Sequence, residues 1–381
     1  MKHPIIPDID LDKISFARKY KKLLGNNTSG YLIQVLSKLN LYQQSLKTYY
    51  LLSRDPIIIY IGNIMKHTFE IAELLKDEKV YFIKNSYHTF ERLDRLHNLQ
   101  LEVEIFYQLY PQHSLSFICP TESELKLFTD IGIKNCYFIN KNAFVDENMF
   151  YVIPDTPRVF DAVYNAQLKP YKRFELASNI ENLAIITYQA HRHNHDELQK
   201  YEDGIRQLLN HATWLNTLKK FVPPCEIINY LNQCKVGLCL SAEEGPMAAS
   251  IEYMLCGLPV VSTHSLGGRE VFFDSDYVEV VEDSAKSISE AVKNLVNREI
   301  DPFIVRNKTI QKMKIHREKF INLVESLLRD AGYQRQFNDE FNKIFINKLR
   351  ISFTFPSGLL RSLDNEIPID YFRELVLQNN Q

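Results

Sequence analysis

Two glutamates, Glu244 and Glu252, lie in the stretch SAEEGPMAASIEYMLCGLPVVST (241–263), and the Gly245–Pro246 pair follows the first of them. The preceding KVGLCLS (235–241) reads as a buried strand. PMAASIEYML reads as a helix with Pro246 at its first position, where the missing N–H costs nothing. Glu244 and Gly245 then sit on a strand-to-helix turn. A helix start offers free N–H groups and partial positive charge, which suit an anion such as a phosphate. Gly245 permits close backbone approach. Glu252, about two turns further on, shares a face with the turn and reaches a second part of the same ligand, for instance ribose hydroxyls. An anionic, hydroxyl-rich ligand of this kind is a nucleotide sugar. The plainer alternative is a surface helix with an outward Glu252.

The elements that must position these residues alternate. PIIIYIG (56–62), KVYFIKNS, LEVEIF (101–106), LSFICP (115–120) and NCYFIN (135–140) read as strands. Between them, TESELKLFTDIG opens with a capping-box pattern, Thr121 with Glu124, and closes at Gly132. Residues 10–53, including TYYLL, read as helical. After KNAFVDENMFYVIPDTP, read as a hinge, the alternation restarts at RVFDAVYNA (158–166) and runs through NLAIITYQ, KVGLCLS and LPVVST to YVEVVED. The expected organisation is an N-terminal Rossmann-like domain over 1–150 with a helical extension, a C-terminal Rossmann-like domain over 151–335, and a helical tail over 336–381 that packs back on the first. Such α/β sheets are doubly wound, and ligands bind outside the carboxyl ends of their strands. The two domains are expected to face each other across a cleft.

Composition narrows the classes. A net charge of −2 gives no basic field for nucleic acid. Six cysteines without a CxxC pair indicate a reducing compartment rather than a disulfide framework. The N-terminus has no apolar signal region and no run is long enough to span a membrane, so a cytoplasmic protein is expected. KISFARKYKKLL (13–24) is basic and amphipathic, which fits either peripheral contact with a membrane surface or a packed helix with a solvated face. No GxGxxG is present, which argues against a dinucleotide dehydrogenase.

The stretch LCLSAEEGPMAASIEYMLCGLPVVSTHSLGGRE resembles the nucleotide-sugar signature of the retaining glycosyltransferases of GT-B fold, the large fourth family (glycosyl transferases group 1). DAVYNAQLKPYKRFELA (161–177) looks like that family's first C-terminal strand and phosphate loop. ICPTESELKLFTDIGIKNCYFINKNAFVDENMF (118–150) looks like the end of its N-terminal domain. The resemblance implies a transferase that moves a sugar from a UDP- or GDP-sugar to a hydroxyl of a glycan or lipid-linked glycan, with retention and in the manner of surface-polysaccharide enzymes. It implies that Glu244 contacts the transferred sugar and that Glu252 holds the ribose. The segment Gly245, Pro246, Met247 and Ala248 would carry backbone amides to sugar or phosphate, and Lys172 would neutralise the diphosphate. The usual arginine of the phosphate loop is replaced by Gln167, with Arg173 or Lys169 as possible substitutes. His88 in YFIKNSYHTFERL is the candidate histidine of the N-terminal domain, ahead of His67. No metal or other cofactor is implied. Three alternating histidines and Asp196 in HRHNHDE (191–197) could hold a metal, but the segment falls where the family has a variable loop and is read as that loop. Two other readings stay open: an epimerase of the same fold, and a degenerate transferase acting as a scaffold or glycan-binding module.

Overall fold

The computed structural model describes residues 48–345 except 63–64, 86–87, 189–194, 217–221 and 223. The basic stretch 13–24, the tail beyond 345, and His191 and His193 lie outside the described residues. The described chain forms two compact units. Unit 1 comprises residues 48–139 and 318–345, and unit 2 comprises Asn140–Arg317.

Unit 1 holds a sheet in the order β1-β2-β3-β4-β5: β1 Thr48–Arg54, β2 Ile57–Gly62, β3 Val80–Asn85, β4 Ser114–Cys119 and β5 Cys136–Phe138. β1 pairs antiparallel to β2, and the other neighbours are parallel. Helices α1 (Met65–Leu74), α2 (Leu93–Leu109) and α3 (Glu122–Asp130) connect the parallel strands.

Two expectations fail in this unit. TYYLLSR is a strand, not the end of a helix. Its partner across the Asp55–Pro56 turn is the apolar IIIYIG, and pairing with that buried strand overrides local helix preference. LEVEIF belongs to α2. Its apparent alternation is a fragment of a longer helical period, since Leu96, Leu99, Val103, Phe106 and Tyr110 are the buried positions. Phe106 sets that face, edge-on to Phe69 at 5.7 Å and to Phe82 at 6.0 Å. The capping box is half formed. Thr121 Oγ1 accepts the Glu124 N–H at 2.9 Å, but the Glu124 carboxylate accepts the N–H of Phe90 instead of turning back.

Unit 2 holds an all-parallel sheet in the order β11-β10-β9-β6-β7-β8. The strands are β6 Phe160–Gln167, β7 Leu183–Tyr188, β8 Thr213–Trp214, β9 Cys234–Cys239, β10 Val260–Thr263 and β11 Val278–Val281. The chain steps outward from β6 to β8, then returns to the other side of β6 and steps outward again from β9 to β11. This is the doubly wound order, and its reversal lies between β6 and β9. Helices α4 (His195–Leu208), α5 (Pro224–Asn232), α6 (Ala248–Leu255) and α7 (Ala285–Asn297) belong to this unit. Helix α8 (Pro302–Asp330) begins in unit 2 and ends in unit 1, where α9 (Asn338–Phe345) follows. Phe341 of α9 lies edge-on to Phe320 of α8 at 6.1 Å.

One glycine sets how α6 lies on β9. A Cβ at Gly237 would come within 2.3 Å of the Tyr253 ring. With that space open, the Tyr253 hydroxyl accepts the Asn165 N–H at 2.7 Å, which ties α6 to the carboxyl end of β6.

Candidate functional site

The reversal between β6 and β9 gathers two loops of unit 2. The loop after β6 carries Gln167, Lys169, Tyr171, Lys172 and Arg173, and the loop after β9 carries Ser241 to Met247. Lys172 is buried and its ammonium donates to Glu244 Oε1. The other carboxylate oxygen, Oε2, accepts from Ser241 Oγ at 2.7 Å. Ser241 Oγ in turn accepts from Arg269 Nη1 at 3.0 Å. Arg269 is fully buried, with further bonds to Ser262 Oγ and to the Thr263 carbonyl. A guanidinium thus holds the serine that orients the glutamate.

The Gly267–Gly268 turn closes against this loop. Gly267 has φ +104°, and a Cβ there would lie 1.5 Å from the Glu244 carbonyl oxygen. The Glu244 N–H donates to the Leu266 carbonyl at 3.3 Å, and the Leu266 N–H to the Ala242 carbonyl at 3.1 Å. Two buried asparagines anchor both turns from behind. Asn140 Nδ2 donates to the Gly268 carbonyl at 2.7 Å, and Asn142 Nδ2 to the Met247 carbonyl at 2.9 Å.

Helix α6 begins at Ala248 with Met247 as its N-cap, so Pro246 precedes the helix and is not its first residue. The Met247 carbonyl accepts from both Asn142 and Ser250 Oγ, and these bonds hold the turn extended until one residue past the proline. Gly245, Pro246 and Met247 are buried, and Ala248 is partly exposed. Glu252 is partly exposed on α6.

Gln167, the last residue of β6, pairs in register with Tyr188 at the end of β7. Tyr171 and Tyr188 are about half exposed. Burial and the Glu244 carboxylate push the Tyr171 phenol up to about 12. Tyr188 is pushed up by burial, then by Glu244, Glu252 and Tyr171, so its hydroxyl feels both glutamates. No signal in the sequence reading singled out these tyrosines, Ser241 or Arg269. Arg269 stood within the quoted SLGGRE turn, where an arginine reads as solvated.

The structure commits Arg173 elsewhere. The residue adopts φ +54°, and its guanidinium donates to the Leu240 carbonyl at 2.6 Å, to Thr263 Oγ1 at 2.7 Å and to the Asp283 carboxylate at 2.6 and 3.2 Å. It braces the loop after β6 against the carboxyl ends of β9, β10 and β11. His88 is exposed on the segment after β3, in unit 1. His67 lies in α1.

Two units of this kind, each with a parallel sheet and the second doubly wound, define an α/β protein of GT-B fold. Solved structures bear this out. Anabaena HepE in complex with UDP superposes with a TM-score of 0.52 at 14% identity, over 69% of this chain and 84% of that one. HepE with UDP and glucose gives 0.51 at 15% identity, over 81% and 83%. The N-terminal domain of Candida albicans trehalose-6-phosphate phosphatase gives 0.50 at 9% identity, over 71% of each chain. Within that fold, residues 180–298 match the family described as Glycosyl transferases group 1. The matched segment contains Ser241, Glu244, Glu252 and Arg269. No curated protein sequence matches the chain.

Proposed function

We propose that this protein is a glycosyltransferase that moves a hexose-type sugar from a UDP- or GDP-sugar to a hydroxyl of a glycan or lipid-linked glycan, with retention. The observation that carries this reading is the Arg269–Ser241–Glu244–Lys172 chain at the switch point of unit 2. It places a carboxylate with fixed orientation beside a buried ammonium where doubly wound sheets bind their ligands. The family match over 180–298 and the binding of UDP and glucose by the HepE neighbour support it.

In this reading the diphosphate lies on Lys172, whose charge stabilises the leaving group as the glycosidic bond breaks. Glu244 contacts the sugar hydroxyls and favours positive charge developing at the anomeric carbon. Glu252 holds the ribose from α6. The turn Gly245–Ala248 lies against the sugar and phosphates. Gln167, half-buried beside Tyr188, adds a neutral amide at the β6 end. His88 is the candidate of unit 1 for the acceptor side. Because lysine charge carries the leaving group, transfer proceeds without a metal. We place the enzyme in the cytoplasm, with peripheral contact at the inner membrane face through the basic stretch 13–24.

Incubation with a panel of nucleotide sugars and oligosaccharide acceptors tests this. UDP or GDP release that depends on acceptor, lost in Glu244→Ala, is the expected result. Conversion of the free nucleotide sugar to its epimer without an acceptor makes the protein an epimerase. Absence of nucleotide binding makes it a scaffold or glycan-binding module and sinks both enzyme readings.

A further inference from the structure

In a complete capping box the glutamate turns back to the N–H of the capping threonine. In α3 the Glu124 carboxyl is directed elsewhere. It is buried, and its Oε2 accepts the Phe90 N–H at 2.9 Å, 34 positions upstream. Thr121, at the same helix start, donates from Oγ1 to Glu91 Oε1 at 2.8 Å. The other oxygen of Glu91 accepts from Thr89 Oγ1 at 3.2 Å, and Thr89 Oγ1 accepts the Glu91 N–H at 3.0 Å. From α2, Arg95 Nη1 donates to the Thr89 carbonyl at 3.0 Å. The Phe90 ring lies edge-on to Phe128 of α3 at 5.4 Å. Residues 89–91 are thus held through both backbone and side chains, and the residue just before them is the exposed His88. The segment follows the carboxyl end of β3, the end of a parallel sheet at which ligands bind.

Stability alone does not call for this arrangement. Burial pushes the Glu124 carboxyl up to about 8, opposed by the Phe90 N–H and reinforced by Glu91. An apolar side chain at 124 would bring no carboxyl into the interior and no second one beside Glu91. A buried polar network rigidifies what it holds, and here it holds the backbone next to His88. We propose that Glu124, with Thr121 and Glu91, is a positioning group that fixes the His88 segment for the acceptor hydroxyl. The inference rests on the function proposed above and names what orients the histidine. Glu124 acts through the Phe90 N–H. A carboxyl accepts that N–H with or without its proton, so an amide at 124 reproduces the bond and an alkyl group does not.

The test uses the full chain with the nucleotide sugar and oligosaccharide that support transfer in the nucleotide-sugar panel. It reads kcat/KM for the acceptor and calorimetric binding of UDP or GDP. Glu124→Leu is expected to lower acceptor kcat/KM about tenfold or more, the scale of a small displacement of a reacting group, and to leave nucleotide affinity unchanged. Glu124→Gln retains most of the wild-type value. Thr89→Val keeps the shape of the side chain and removes both bonds to Glu91, so it lowers acceptor kcat/KM in the same way and serves where Glu124→Leu does not fold. Val103→Ala, a core lesion in α2 away from these bonds, lowers the denaturant midpoint and leaves acceptor kinetics unchanged. In a His88→Ala background Glu124→Leu adds little further loss, because the two residues act as a unit. If Glu124→Leu and Thr89→Val both behave like Val103→Ala, or if their full loss persists in the His88→Ala chain, the positioning role is wrong and the proposed activity stands. If the wild type transfers from no nucleotide sugar, the proposed function itself fails.

Discussion

Removing the Lys172 ammonium from water is costly unless an opposite charge meets it, and Glu244 does so from the loop after β9. Lys172→Met therefore acts twice. In the proposed transfer it strips the leaving group of its cation, and it leaves Glu244 without its partner. We expect nucleotide-sugar turnover to fall about 10²-fold or more, the scale of losing one preorganised electrostatic contact. Steady-state release of UDP or GDP measures it, and turnover within threefold of wild type would refute the role. Arg269 acts through other residues, so Arg269→Met is a structural lesion first. It orphans the acceptors on Ser262 and Thr263 and frees Ser241, and the expected loss is about 3 kcal/mol, visible as a lower midpoint in denaturant. Glu244, Glu252 and Lys172 were singled out in the sequence because each stands in a local motif. Arg269 and Ser241 were not, because their value comes from hydrogen bonds across 28 positions that no spacing rule displays.

The elements of unit 2 hold the site through close approaches that depend on missing side chains. Gly237→Ala would drive a methyl into the Tyr253 ring and push α6, with Glu252, away from β9. Overpacking of this kind costs about 1–3 kcal/mol, and a Tyr253→Phe variant separates the packing loss from that of the Asn165 bond. Gly267→Ala meets both a φ of +104° and the Glu244 carbonyl, so it displaces the loop that carries the carboxylate. Its prediction is weakened nucleotide binding together with a lower thermal midpoint. A variant that binds nucleotide as wild type would contradict the placement of that turn. The strands of unit 2 were readable as short apolar runs because a parallel sheet covered on both faces buries every residue. The failures at TYYLLSR and LEVEIF have one cause. Over five to seven residues, apolar spacing fits a strand and a helix alike, and only the hairpin partner of β1 and the longer buried stripe of α2 decide.

At the scale of the whole molecule, unit 1 carries two buried ionisable groups with opposite pH signatures. Burial lowers Lys84 from 10.5 to about 7, against the pull of Glu102. The unfolded chain binds the extra proton between those values, so this residue's contribution is full above 10.5 and is lost as pH falls to about 7. Burial raises Glu124 from 4.5 to about 8, partly opposed by the Phe90 N–H. Here the folded chain binds the extra proton, so the contribution is full below 4.5 and is lost as pH rises to about 8. Denaturant midpoints across this range should show Lys84→Met flattening the alkaline rise and Glu124→Gln flattening the fall from pH 5 to 8. Unchanged slopes would contradict the burial of these groups. The two-unit α/β organisation was legible from the restarted alternation after residue 158. The return of the chain to unit 1 inside α8 was not, because one continuous 29-residue helix carries no break where it passes from one unit to the other.

Calorimetric titration of the full chain with UDP and with GDP tests whether unit 2 binds a nucleoside diphosphate at the Lys172–Glu244 switch point. One-to-one binding of at least one of them is expected, weakened about tenfold or more by Lys172→Met. Failure of both nucleotides to bind at millimolar concentration, or binding that Lys172→Met leaves unchanged, would contradict it.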